Sequence, residues 1–273
     1  MKILILGGFG YFGSKLLTTD HKESDLSSAT LFVADHNLKN KLSFFQNFNL
    51  PEKKQILDIS LQDLTAEIIP AKIDLIISLL PIRSVSDDLD KVISMTKALS
   101  APLIFFSTTA TNQPYETSLE QKPQSFIEEL IDQRLKEEGL YYCIVRTGHL
   151  TGLSPRIKFD SKVNNYLLNH YQQLVQPENV TQIKITTLRA LTKGLNFIIK
   201  KELFNRNCFH LINNVVSLNE LNIRTLNADT LEDDKINFDQ KLENLGFEIK
   251  RKTFPEIASV ANYLRRFYHQ RVS

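Results

Sequence analysis

The residues with the clearest chemical meaning are glycines. Gly7, Gly10 and Gly13 stand three apart in the word Gly7-Gly8-Phe9-Gly10-Tyr11-Phe12-Gly13. An apolar run at 3–6 precedes the word, and Ser14-Lys15-Leu16-Leu17 follows it. G-x-x-G-x-x-G between a strand and a helix is the setting in which backbone amides cradle a pyrophosphate. Gly7 would permit the tight turn, Gly10 the close approach of phosphate, and Gly13 the packing of helix on strand. The positive end of the helix would face the phosphates, with Phe12 among the cofactor-side residues. A lone word of this kind is also compatible with a ligand-free turn. Asp35 argues for the ligand: it follows the second apolar run, about where an acid bonds ribose hydroxyls. An acid there disfavours a 2′-phosphate, so NAD is the expected cofactor. Lys39 and Lys41 lie nearby and keep NADP as the alternative. Asp58, after the third run, is read either as a neighbour of the adenine edge or as a helix N-cap before Leu61. Leu79, Leu80 and Pro81 end the fourth run and are candidate neighbours of the cofactor's second ribose.

These residues need a scaffold, and its elements are legible. Apolar runs at 3–6, 31–34, 55–57, 73–80, 103–106 and 141–145 read as strands buried on both faces. Between them, Val85, Leu89, Val92, Ile93 and Leu99 follow a helical period, as do Phe126, Ile127, Leu130, Ile131 and Leu135. Such alternation predicts an α/β protein with a doubly wound parallel sheet of the Rossmann type. The sheet domain is expected over 1–150, completed by about 183–213. A strand at 183–185, a helix at 187–199 and a seventh strand at 208–212 fall in that completing segment. Residues 151–182 and 214–273 are expected to form a small C-terminal lobe for a substrate or partner. The polar stretch 18–28 reads as a flexible loop.

Composition narrows the function classes. The chain has 273 residues, with Lys plus Arg at 33 and Asp plus Glu at 31. A net charge of +2 gives no general affinity for nucleic acid, so none is expected as a partner. Two cysteines cannot build a disulfide framework, and six scattered histidines lack metal-ligand spacing, so no metal is expected. No run approaches the roughly 18–20 apolar residues of a membrane helix, and the first residues do not read as a signal peptide. A soluble cytoplasmic protein is the expectation.

With these residues in hand, the chain resembles the extended or atypical short-chain dehydrogenases/reductases, the family of NAD-dependent epimerases and dehydratases. Residues 7–13 match the family's glycine pattern. Phe106-Ser107-Thr108-Thr109-Ala110 resembles its Ser/Thr-rich end of strand five, which implies a catalytic hydroxyl at Thr109. The segment 144–152 resembles its R-P-G-x-x-x-G words, with Thr147 where Pro is usual. Residues 185–188, 208–213 and 217–221 resemble its later segments. The resemblance implies an NAD(P)-binding oxidoreductase or epimerase acting on a sugar nucleotide or a related small carbonyl or hydroxyl compound. One departure is plain. The family uses Tyr-x-x-x-Lys on the helix after strand five, where the Lys lowers the Tyr pKa for proton exchange. Here 123–138 contains no Tyr, and Lys136 lies at its far end. The one Tyr-x-x-x-Lys, Tyr11 to Lys15, sits inside the glycine word. Tyr115, in the loop after strand five, is the candidate catalytic substitute, and His149, after strand six, the candidate substrate contact. The alternative is a resemblance to the NmrA-like branch, which keeps the glycines without the Tyr and reports dinucleotide to a protein partner. Oligomeric state is left open.

Overall fold

A computed structural model describes residues 1–18, 25–35, 54–69, 71–80, 87–108, 124–154, 183–212, 214–216, 240–247 and 259–260. The apolar runs become strands β1 (Lys2–Leu6), β2 (Thr30–Asp35), β3 (Lys54–Asp58), β4 (Leu75–Ser78), β5 (Leu103–Thr108) and β6 (Tyr142–Thr147). Four more follow: β7 (His149–Thr151), β8 (Ile183–Thr187), β9 (Asn205–Leu211) and β10 (Asn214–Val216). The helices are α1 (Tyr11–Thr18), α2 (Asp25–Ser28), α3 (Asp87–Leu99), α4 (Gln124–Glu137), α5 (Leu188–Lys200) and α6 (Gln240–Asn244).

Seven strands form one sheet in the order β3-β2-β1-β4-β5-β6-β9, and every pairing in it is parallel. The expected doubly wound Rossmann-type sheet is therefore present. Winding reverses between β1 and β4, so the crevice at their carboxyl ends is the switch point where ligands of such sheets bind.

A sheet covered on both faces sends alternate residues into two cores. Ile3, Ile5, Val33, Ile77 and Val145 join Leu16 and Leu17 of α1 and Leu191, Leu195 and Ile198 of α5. Leu4, Leu6, Phe32, Ile76, Leu103 and Phe105 join Leu89, Val92 and Ile93 of α3 and Ile131 and Leu135 of α4. Each such side chain contributes about 1.5–3 kcal/mol when fully buried.

Three local readings change. The 183–185 strand does not enter the large sheet. As β8 it joins a second sheet in the order β10-β8-β7, parallel to β7 and antiparallel to β10. Its partners, three residues each, are too short to show a period of two. The stretch 18–28 is not all loop: Asp25–Ser28 is a helical turn, anchored by Leu26, which is buried. The fourth strand stops at Ser78, and Leu79 and Leu80 continue the apolar run into the crevice. Among the described residues, no helix is long and apolar enough to cross a membrane.

Candidate functional site

The turn after β1 holds its shape through backbone bonds. Gly7 N–H donates to the Ala34 carbonyl (2.9 Å), and Gly10 N–H returns to the Gly7 carbonyl (3.1 Å). Gly7 has φ +73°, a left-handed conformation that favours glycine. A Cβ at Gly8 would overlap the Val33 side chain, and one at Gly13 would overlap the Gly8 carbonyl. Gly13 thus lets the helix close on the turn itself, and Gly8, given no separate part by the sequence, lets the turn close on β2. Gly10 is different. Its φ is not left-handed, and a Cβ there would meet only the Gly7 oxygen, at 3.4 Å, an ordinary contact. Nothing among the described residues requires glycine at position 10.

Gly10 stands at the donor end of a helix. The first i→i−4 bond of α1 runs from Ser14 N–H to the Gly10 carbonyl (2.8 Å), so the amides of residues 11–13 precede the helical ladder. They carry the positive end of the helix dipole. The Phe12 ring is buried and meets Phe106 edge-to-face, with centroids 5.3 Å apart.

Asp35 ends β2 beside the turn. It is 7% exposed, and its Oδ2 accepts the Phe9 N–H at 2.9 Å. The carboxylate therefore braces the glycine turn as well as facing the crevice. Asp58 ends β3 in register with Asp35 and is exposed. Residues 61–63 form a turn and not the helix that Asp58 would have capped, and in that turn Ser60 Oγ accepts the Asp63 N–H (3.2 Å) and donates to Asp63 Oδ2 (2.6 Å). Leu79 N–H donates to the Leu6 carbonyl (3.0 Å), and Leu80 leans over Gly7, 2.9 Å from where its Cβ would stand.

These groups border a cleft of about 260 Å³, part of it open to solvent, lined by Leu6, Gly7, Ala34, Asp35, Ile59, Leu61, Leu64 and Leu80. Among the described residues that line it, Asp35 carries the one ionisable side chain. Ile59, Leu61 and Leu64 were missed by sequence reasoning; the signal available was an apolar triplet just past the third strand. Gln62 Nε2 braces this wall by donating to Asp88 Oδ1 of α3 (2.6 Å).

The far half of the crevice lies over β5, β6 and β9. Thr147 Oγ1 donates to the Ser107 carbonyl (3.2 Å). Gly148 crosses β8 so closely that a Cβ would overlap the Lys184 carbonyl, and its N–H donates to Thr186 Oγ1 (2.8 Å). Thr186 Oγ1 donates in turn to the Leu211 carbonyl. His149 stands half-buried on β7, opposite Ile185. Arg146 Nη1 lies 3.2 Å from His210 Nε2. Tyr11 is buried, and its hydroxyl donates to the Gly152 carbonyl, so the Tyr-x-x-x-Lys spacing at 11–15 carries no reactive phenol.

Of the residues singled out from the sequence, Gly7, Gly10, Phe12, Gly13, Asp35, Asp58, Leu79 and Leu80 gather at the carboxyl ends of β1 to β4. His149 stands apart, beyond β6. Pro81, Thr109 and Tyr115 lie outside the described residues. Cys143 is free and buried, and burial pushes its thiol pKa up. Among the described residues no group of three or more His, Cys, Asp or Glu side chains is placed to hold a metal.

No family model matches the chain, and no curated protein matches it. Solved structures do share its fold. The UDP-glucuronic acid 4-epimerase of Bacillus cereus, in complex with UDP-glucuronic acid and NAD, superposes with a TM-score of 0.74 at 14% identity, covering 98% of this chain and 100% of that one. The UDP-N-acetylglucosamine 4-epimerase of Methanobrevibacter ruminantium, in complex with UDP-N-acetylmuramic acid, gives 0.70 at 15% identity and 98% of both chains. The dTDP-glucose 4,6-dehydratase of Bacillus anthracis, in complex with NAD, gives 0.72 at 11% identity and 97% of both. At these identities the shared property is the fold.

Proposed function

We propose that this chain is an NAD-binding protein of the epimerase/dehydratase type, an oxidoreductase or epimerase acting on a sugar nucleotide or a related small carbonyl or hydroxyl compound. The observation that carries the reading is Gly10. Among the described residues nothing demands glycine there, yet it stands at the donor end of α1 beside the cleft. A pyrophosphate supplies the missing reason. The amides of residues 11–13 would take its oxygens, the apolar cleft the adenine, and Asp35 the adjoining ribose hydroxyls. Asp58 would lie at the adenine edge, and Leu79, Leu80 and Pro81 near the second ribose. The Asp35 carboxylate would repel a 2′-phosphate, which favours NAD over NADP. Nucleotide-bound relatives of the same fold support this reading.

NAD, when bound, supplies a hydride acceptor. The chain's own part is to orient it and to move a proton on the substrate, for which Thr109 and Tyr115 are the candidate groups and His149 the candidate substrate contact. Residues 151–182 and 214–273 would form the substrate lobe of a soluble, cytoplasmic protein.

Titration calorimetry with NAD and NADP, followed by product analysis on a panel of UDP- and dTDP-sugars, tests the proposal. Binding of NAD more tightly than NADP, with conversion of a sugar nucleotide, is expected. No binding of either dinucleotide at millimolar concentration would overturn it. Tight NAD binding with no turnover across the panel would move the reading to a dinucleotide sensor.

A further inference from the structure

Tyr11 is bonded twice by one distant segment. Its buried phenol donates to the Gly152 carbonyl at 2.5 Å, and its own carbonyl accepts from Ser154 Oγ at 2.8 Å. The two bonds span 141 and 143 residues of chain. At one end is Tyr11 itself, the first residue of α1, and its amide belongs to the donor set of residues 11–13 described above. At the other is the segment 148–154, which starts with Gly148 wedged on Lys184, carries His149, and turns at Gly152 with φ +141°.

The two ends are held as one body. A phenol ring is rigid, so a displacement of the α1 start moves its hydroxyl by a similar amount. A hydrogen bond weakens once its heavy atoms pass about 3.0–3.2 Å, and a buried donor left without an acceptor is disfavoured. The Ser154 bond runs in the opposite sense and opposes rotation about the first. Gly152 is buried, so water does not readily replace the phenol.

We infer that Tyr11 is a positioning residue that couples occupancy of the glycine turn to the 148–154 segment, so that a bound dinucleotide orders the substrate side of the crevice. The inference rests on the dinucleotide reading and goes beyond it. By linkage, a ligand held by 148–154 would raise dinucleotide affinity by the same factor.

Hydrogen exchange on the full chain, with and without saturating NAD, reads the coupling directly. In the unaltered protein, NAD should slow exchange at least fivefold in both 7–13 and 148–154. Tyr11→Phe removes only the hydroxyl. It should reduce the NAD effect at 148–154 to less than twofold. The ratio with and without NAD is the readout, because mere loosening speeds exchange in both conditions. Ser154→Ala should at least halve the effect at 148–154, and it decides the matter if Tyr11→Phe does not fold. Absence of any NAD effect at 7–13 would sink the dinucleotide reading itself. An effect at 7–13 without one at 148–154, or an effect at 148–154 that survives both substitutions, would overturn the coupling alone.

Discussion

Gly10→Ala separates a glycine kept for a ligand from one kept for the fold. Among the described residues an added Cβ would meet only the Gly7 oxygen, at 3.4 Å, and the backbone needs no left-handed φ there. The folded state should therefore absorb the methyl. Reduced freedom of the unfolded chain even favours Ala by about 0.4–1 kcal/mol at compatible sites. The bound state should not absorb it, because the methyl would stand where phosphate must approach the amides of residues 11–13. Losing one charge-assisted hydrogen bond of about 1.5–3 kcal/mol weakens NAD binding roughly 10- to 150-fold. Gly13→Ala is the control for stability. Its Cβ would overlap the Gly8 carbonyl, a backbone atom that yields only if the turn moves. Overpacking of this kind costs about 1–3 kcal/mol, or a fall in Tm of roughly 2–12 °C. Thermal melting and NAD calorimetry on both variants are the assay. Gly10→Ala with unchanged NAD affinity would refute the reasoning. So would Gly10→Ala that lost as much stability as Gly13→Ala, because glycine 10 would then serve the fold.

Three further outcomes are expected. Asp35→Ala should lower NAD affinity about tenfold or more and NADP affinity less, by calorimetry, and should cost about 1–3 kcal/mol of stability by leaving the Phe9 amide without its carboxylate. Equal losses for the two dinucleotides would remove Asp35 from ribose recognition. Thr186→Val should cost about 1–3 kcal/mol in urea unfolding, because the Gly148 N–H and the Leu211 carbonyl lose the hydroxyl that joins them; Thr186→Ser should recover most of it. Burial opposes ionisation of Asp132, but hydrogen bonds from Lys136 and Tyr142 outweigh it and hold the carboxyl below the usual range. A folded pKa lowered in this way stabilises above the unfolded value of about 3.9, and that contribution is lost as pH falls through the folded pKa. The Asp132 side chain is 36% exposed, so Tyr142→Phe should cost only about 1 kcal/mol at pH 7, with the gap from the unaltered protein narrowing at pH 3.

The amino-acid sequence by itself determined the parallel sheet, the glycine turn and the acid at the end of β2. Runs such as Ile3-Leu4-Ile5-Leu6 and the period of α3 are written in neighbouring residues, and a strand or an amphipathic helix needs no more than that to be legible. The pairing of β8 with β7 and β10 was decided only in three dimensions, since its partners are three residues long and lie tens of residues away on either side. The same holds for the second duty of Asp35 toward Phe9, 26 residues off, and for the fit of Gly8 against Val33. The cleft wall at Ile59, Leu61 and Leu64 was also invisible, because an apolar residue reads the same whether it faces a core or a ligand. A local pattern records what a segment becomes. What its side chains then touch depends on contacts between distant segments, and such contacts leave no periodic trace in the chain.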